Sequence, residues 1–323
     1  MNFVRPVLVL LTSCFLLAAN GMAQPYPTRP VRLVIGFAAG GTTDIIGRYL
    51  AQRLGQSLGQ AVVVDNRPGA GGNLGADFVS KSKADGYTIF LGSTSSMAVA
   101  PAIYAKLPYN PAEDFVAIGQ VATMPSVLVV TANVGVNTAS DLVALAKGRA
   151  GGLNYASAGI GSAPHLAGEL LRTLTGVPIT HVPYKGDALA LNDLVAGHVQ
   201  MMFPSRPSVL PFIASGQLKA LAVTGRQRTK DLPNVPTMIE AGYQDYAVES
   251  WFGLFAPAGT GQDVVRRLSA ALTQILSDRE AQAQLAKLGV DSFSSTPEEM
   301  SSYVRAEIKK WAEVARFAQI KAE

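Results

Sequence analysis

Two long extended runs, VATMPSVLVVT at residues 121–131 and YAVESWFGLFAP at residues 246–257, interrupt a chain that otherwise alternates short apolar segments with helical patterns. Alternation of that kind predicts mostly parallel sheets covered by helices. A complete α/β series lies between the two runs. The chain is therefore expected to form two α/β domains joined by a pair of hinge-crossing strands. Residues 24–124 with 248–323 are expected to make one domain and residues 125–247 the other.

Local signals fix several helices. Ile46, Leu50, Leu54 and Leu58 recur every four residues and predict one buried helix face. Thr138 with Asp141, and Thr296 with Glu299 and Pro297 between them, read as helix starts with reciprocal capping. Behind the second start, Met300, Val304, Ile308, Trp311, Ala315 and Ala318 predict a buried stripe.

The amino terminus carries one arginine, Arg5, then an apolar stretch and the small-x-small triplet Gly21-Met22-Ala23. This predicts a secretory signal peptide over residues 1–23, cleaved after Ala23, and so an exported protein. Leu11-Thr12-Ser13-Cys14 fits a lipobox, but the apolar run continues past it to Ala19, so a lipid anchor at Cys14 is not expected. Cys14 is the single cysteine of the 323 residues. The mature chain then has no disulfide, thiolate metal site or cysteine nucleophile. A formal charge of +4, spread along the chain, gives no basic run of the kind that binds nucleic acid.

Three glycine-rich turns follow apolar runs. In GFAAGGTTD (residues 36–44) the glycines permit a tight turn, and Thr42, Thr43 or Asp44 is expected to cap the helix that follows. Free N–H groups at such a helix start favour a carboxylate or phosphate. ASAGIGSAPH (residues 156–165) repeats the arrangement in the second domain, with the Ser157 and Ser162 hydroxyls expected to face a ligand. Two such helix starts, one per domain, suit opposite sides of one small molecule. PGAGGNLG (residues 68–75) is out of register with the dinucleotide fingerprint and is read as a turn at the rim of a cleft.

Catalytic motifs are missing from the sequence: no G-x-S-x-G elbow, Walker A loop or H-E-x-x-H is present. His165, His181 and His198 are isolated in sequence and are read as capping, core or surface residues. No metal and no cofactor are expected, and a Ser–His–Asp site assembled from distant segments is the catalytic arrangement left open.

With both glycine loops and both crossing runs in view, the chain resembles the extracytoplasmic solute-binding proteins of tripartite tricarboxylate transporters, the Bug family. The matching segments are residues 26–32, 37–44, 66–73, 84–88, 155–165, 182–186, 218–223, 233–237 and 251–257, which span the mature chain in order. The resemblance implies a two-domain periplasmic binding protein of the type II-like, Venus flytrap class, a monomer that captures a small carboxylate and delivers it to a membrane permease. A carboxylate sensor feeding a signalling system is the alternative, and a secreted small-molecule hydrolase a more distant one.

The family's pattern puts Phe37, Gly40, Gly41, Thr42 and Asp44 on one side of the ligand and Ser157, Gly159, Ser162 and His165 on the other, partly through ordered water. Ser93 and Tyr184 match further cleft positions. Where the family usually has an aspartate able to pair with a ligand ammonium, this chain has Pro204. A ligand without an ammonium, a plain mono- or dicarboxylate, is therefore expected. Arg206 is read as a solvated surface residue, with a second-carboxylate contact as the alternative. Lys185 is a further candidate for the cleft.

Overall fold

The computed structural model describes residues 26–159, 162–184 and 186–321. The expected signal segment, Cys14 and Lys185 lie outside the described residues. The chain begins β1 (Val31–Ile35), α1 (Thr42–Leu58), β2 (Val62–Asn66), α2 (Asn73–Ser80), β3 (Thr88–Ser93), α3 (Ala100–Ile103) and β4 (Phe115–Pro125). It crosses into β5 (Val127–Thr131), α4 (Ala139–Gly148), β6 (Leu153–Ser157), α5 (Ala163–Thr175), β7 (Ile179–Pro183), α6 (Asp187–Val195), β8 (Met201–Met202), α7 (Arg206–Ala214) and β9 (Leu218–Val223). It returns as β10 (Glu249–Pro257), α8 (Gln262–Ser277), α9 (Arg279–Lys287), β11 (Asp291–Ser292) and α10 (Pro297–Ala318).

The strands form two sheets, ordered β11-β4-β10-β3-β1-β2 and β7-β6-β8-β5-β9. Strand direction decides which loops meet. β1 is parallel to β2 and β3, while β10 is antiparallel to both β3 and β4. The carboxyl ends of β1 to β4 therefore share one edge, where β4 leaves at Pro125. In the second sheet β6 is parallel to β7 and β8, and β8 is antiparallel to β5. β5 thus enters, at Val127, along the edge where β6, β7 and β8 end. Only Ser126 separates β4 from β5, so the two loop-bearing edges face one another.

Alternation along β1 sorts its side chains onto two layers. Leu33 and Ile35 pack with Ile46, Leu50 and Leu54 of α1, and Val34 packs on the opposite face with Ala76, Phe90 and Met300. Each such buried side chain contributes roughly 1.5–3 kcal/mol relative to exposure. Both reciprocal helix caps form, at Thr138 with Asp141 and at Thr296 with Glu299. The stripe of α10 buries Met300, Val304, Trp311 and Ala315, with Ile308 and Ala318 half-buried.

The crossing segments are tied to each other. Thr224 Oγ1 donates to the Val248 carbonyl at 2.6 Å and accepts the Ser126 N–H at 2.8 Å. The Thr224 N–H also donates to the Ser126 carbonyl at 2.9 Å. Two lobes joined by a cross-linked pair of strands can rotate about that join while each keeps its own sheet.

Candidate functional site

Open α/β sheets hold ligands where neighbouring strands send their loops in opposite directions. In the first lobe that point lies between β1, whose connection leads to β2, and β3, whose connection leads the other way to β4. In the second it lies between β6, leading to β7, and β8, leading to β9. The loops concerned are residues 36–41 and 93–96 in one lobe, and residues 157–159 with 162 and residues 203–205 in the other. Of the ligand contacts expected in the glycine loops and at Ser93, Tyr184 and Pro204, these contain all except Thr42 and Asp44, in the first turn of α1, His165, in the first turn of α5, and Tyr184, just past β7.

The loop after β1 is held by an acid, a base and an amide. Asp44, 2% exposed, accepts the Gly40 N–H at 2.8 Å, Arg48 Nε at 2.9 Å and Asn66 Nδ2 at 2.9 Å. Asn66 Nδ2 also donates to the Phe37 carbonyl at 3.0 Å, and Arg48 Nη2 donates to Asn66 Oδ1 at 3.1 Å. The hydrogen bond from the Arg48 guanidinium outweighs burial and pulls the Asp44 carboxyl down to about 2. Capping departs from expectation. Gly41 is the residue before the helix and no side chain caps it among the described residues, because Asp44 reaches back to Gly40 instead. The first-turn N–H groups of α1 are thereby left for another acceptor.

Gly36 lets this loop lie against the next one. A Cβ there would stand 2.6 Å from Gly72 Cα. The half-buried Phe37 and Ser96 both lie beside Gly72. Ser93 closes β3, and its Oγ is buried without a hydrogen bond among the described residues.

In the second lobe the Ser157 and Ser162 hydroxyls are turned onto the loop's own backbone. Gly159, with φ +129°, folds its peptide back between them. Ser162 Oγ donates to the Gly159 carbonyl at 2.6 Å, and Ser157 Oγ accepts the Gly159 N–H at 3.0 Å. Ser157 Oγ also lies 2.6 Å from His181 Nε2. That spacing suits a nucleophile and its base, but Ser157 is completely buried, so the contact supports the loop. Pro164 stands in the first turn of α5 and leaves the helix entrance to backbone donors.

The histidines are not isolated in space. His165 and His181 stack with centroids 3.9 Å apart, and Tyr155 stacks on His181 at 5.0 Å. Tyr155 donates to Glu169 Oε1 at 2.6 Å, and Arg172 Nε donates to Glu169 Oε2 at 2.8 Å. His198 is exposed, 3.3 Å from Asp193. The Tyr184 hydroxyl donates to Asp193 at 2.7 Å, and burial, with that carboxylate's help, pushes it up to about 12.

Pro204 is buried beside the start of β5, and its carbonyl accepts the Val127 N–H at 3.1 Å. Beside it the fold brings in an acid from the first turn of α6: Ser205 Oγ donates to Asp187 Oδ2 at 3.4 Å. Arg206 is neither a solvated surface residue nor a cleft residue. It is buried and ion-paired with Asp231 and Asp291, because α7 starts where the two lobes touch.

Sequence reading missed Arg48, Asn66 and His181. The spacing of Asp44 and Arg48, four residues apart on a helix, was a usable signal; the other two come from different strands and gave none.

Two α/β lobes, joined by paired crossing strands and carrying glycine-rich helix entrances on their facing edges, define the fold of the periplasmic binding proteins. The profile of the tripartite tricarboxylate transporter family receptor matches residues 46–319, and the chain belongs to that family. It is 38% identical to protein BugT of Bordetella pertussis over 301 residues, covering 93% of this chain and 92% of that one. Among solved structures, R. palustris Rpa4515 with adipate matches at 38% identity and TM-score 0.74, covering 92% and 99% of the two chains. A ligand-free TctC solute-binding protein from Polaromonas matches at 30% identity and TM-score 0.83, covering 90% and 99%.

Proposed function

We propose that the protein is a periplasmic receptor, exported by its signal segment, that captures a small carboxylate between its lobes and hands it to a permease of the tripartite tricarboxylate type without catalysis. Residues 24–124 with 248–323 form one moving unit in this reading and residues 125–247 the other, and the receptor acts as a monomer. The observation that carries it is the placement of two glycine-rich helix entrances, those of α1 and α5, on the facing edges of the two sheets. Backbone N–H groups neutralise a carboxylate without burying an unpaired counter-charge. Only a ligand that touches both edges favours closure.

No helix among the described residues is long and apolar enough to cross a membrane. The family membership and the adipate held by the R. palustris relative support a carboxylate ligand. Pro204 itself offers no counter-charge to an ammonium, which favours a plain mono- or dicarboxylate; Asp187, brought to Ser205 from the start of α6, is the acid against which the amino acids in the test are set.

The test is thermal unfolding of ligand-stripped protein against adipate, shorter and longer dicarboxylates, monocarboxylates, aromatic acids and acidic amino acids. A ligand at one hundred times its Kd adds about 2.7 kcal/mol, a rise of a few degrees in Tm. A shift with a plain carboxylate is the expected result. A flat response across every acid would overturn the receptor reading.

A further inference from the structure

Arg206 opens α7 in the second lobe, is only 3% exposed, and spends its guanidinium on the first lobe. Nη1 donates to Asp291 Oδ2 at 2.7 Å, and Nη2 donates to Asp291 Oδ1 and to the Gly289 carbonyl, both at 3.2 Å. Nε lies 3.0 Å from Asp231 Oδ2 of its own lobe, at an angle that makes no hydrogen bond. The neighbouring Pro207 seals the contact: a Cβ on Gly289 would stand 2.0 Å from its Cγ. A bidentate arginine–carboxylate pair is the strong form of this interaction, and here its guanidinium is buried while its carboxylate keeps contact with solvent.

Strand order says which way the contact acts. The ligand loops follow β1 and β3 in one sheet and β6 and β8 in the other, all on one side of the crossing strands. Asp291 belongs to β11, the opposite edge of the first sheet beyond β4, and Asp231 follows β9, the outer edge of the second. A cavity of about 720 Å³ opens on this far side, lined by Arg226, Lys230, Asp291 and Phe293 among others. A rotation about the crossing strands that brings the ligand loops together parts the lobes here.

We propose that Arg206 is an open-state latch. Its pair with Asp291 exists when the crevice is open, must stretch or break on closure, and so lowers the affinity for any ligand that closes the lobes. The inference rests on the reading that the lobes close on a ligand. It makes Arg206 a positioning residue that sets affinity from outside the binding crevice. Both carboxylates stay partly solvated, Asp291 at 41% and Asp231 at 36% exposed, so removing the guanidinium strands no buried charge. Loosening the latch should tighten binding by roughly three- to tenfold, between the worth of an exposed pair and a buried one.

The test reads lobe separation directly. Spin labels are placed at Leu74→Cys on α2 and Leu189→Cys on α6, both exposed and both in first helical turns beside the crevice, in the full chain carrying Cys14→Ser. Inter-label distances are measured by electron–electron resonance in ligand-free protein with Arg206, Arg206→Lys, Arg206→Met and Asp291→Asn, and adipate binding is titrated calorimetrically. The expected result is a shift toward shorter distances in Arg206→Met and Asp291→Asn, smaller in Arg206→Lys, with adipate bound three- to tenfold more tightly. Unchanged distances in both variants, or a shift to longer ones, would overturn the latch. Asp291→Asn decides the matter if Arg206→Met does not fold. If neither adipate nor any other carboxylate binds, the receptor reading fails, while the ligand-free distances still decide the latch.

Discussion

His165, from the first turn of α5, and His181, from the middle of β7, lie face to face, with centroids 3.9 Å apart and planes within 17° of parallel. Burial pushes both down to about 4, helped by the charge of Arg172 at the first and by the neighbouring ring of His165 at the second. In the unfolded chain they titrate near 6.5. Below that pH the unfolded state takes up protons that the fold refuses until about pH 4. Stability should therefore fall steadily as the pH drops from 6.5 to 4, because both rings must stay neutral in the fold. Urea midpoints at pH 7, 5.5 and 4.5 measure it, and His181→Gln should flatten the slope.

Asp44 acts in a more acidic window. Its carboxyl is held down to about 2, so its contribution is complete above the unfolded value near 3.9 and disappears as the pH falls toward 2. Asp44→Ala removes three hydrogen bonds and should cost about 2–3 kcal/mol at neutral pH. It should also weaken carboxylate binding, since the loop of residues 37–41 loses its tether. Thermal unfolding and calorimetry of the one variant check both.

Asp187 shows the opposite sign. Burial raises its carboxyl, and Oδ1 has no hydrogen-bond partner among the described residues. Its ionisation therefore costs stability as the pH rises past the unfolded value. Asp187→Asn should stabilise the protein at pH 7, with the gain vanishing in acid, as paired urea titrations at pH 7 and below pH 4 would show.

Gly36→Ala places a methyl 2.6 Å from Gly72 Cα, and backbone must move to admit it. A loss of about 1–3 kcal/mol is expected, with weaker ligand binding. Gly148→Ala, at a position with open space around it, should instead gain about 0.4–1 kcal/mol. The contrast separates a close approach from glycine content in general.

The indole N–H groups of Trp251 and Trp311 both donate to Glu307 Oε2, at 3.4 and 3.0 Å. These are the chain's two tryptophans, so intrinsic fluorescence reports the first lobe. Glu307→Ala leaves two buried donors unpaired and should cost about 3–5 kcal/mol, read as a lower Tm and altered tryptophan emission.

The alternation of strands and helices, the two crossing runs, the capping pairs at Thr138 and Thr296 and the glycine turns at residues 36–41 and 157–162 were all readable from sequence. Each depends on neighbours within a few residues or on the backbone angles glycine allows. Side-chain partners were another matter. Whether Asp44 caps α1 or clasps Gly40 depends on Arg48 and on Asn66 from the adjacent strand. Whether Ser157 faces a ligand depends on His181, and Pro204 says nothing of the acid that Asp187 brings beside it. Arg206 looks like any surface arginine until β11 is laid against the far side of the hinge. Hydrogen-bond partners and burial are fixed by segments that meet only after the chain has crossed twice between its sheets, so the tertiary structure alone decided them.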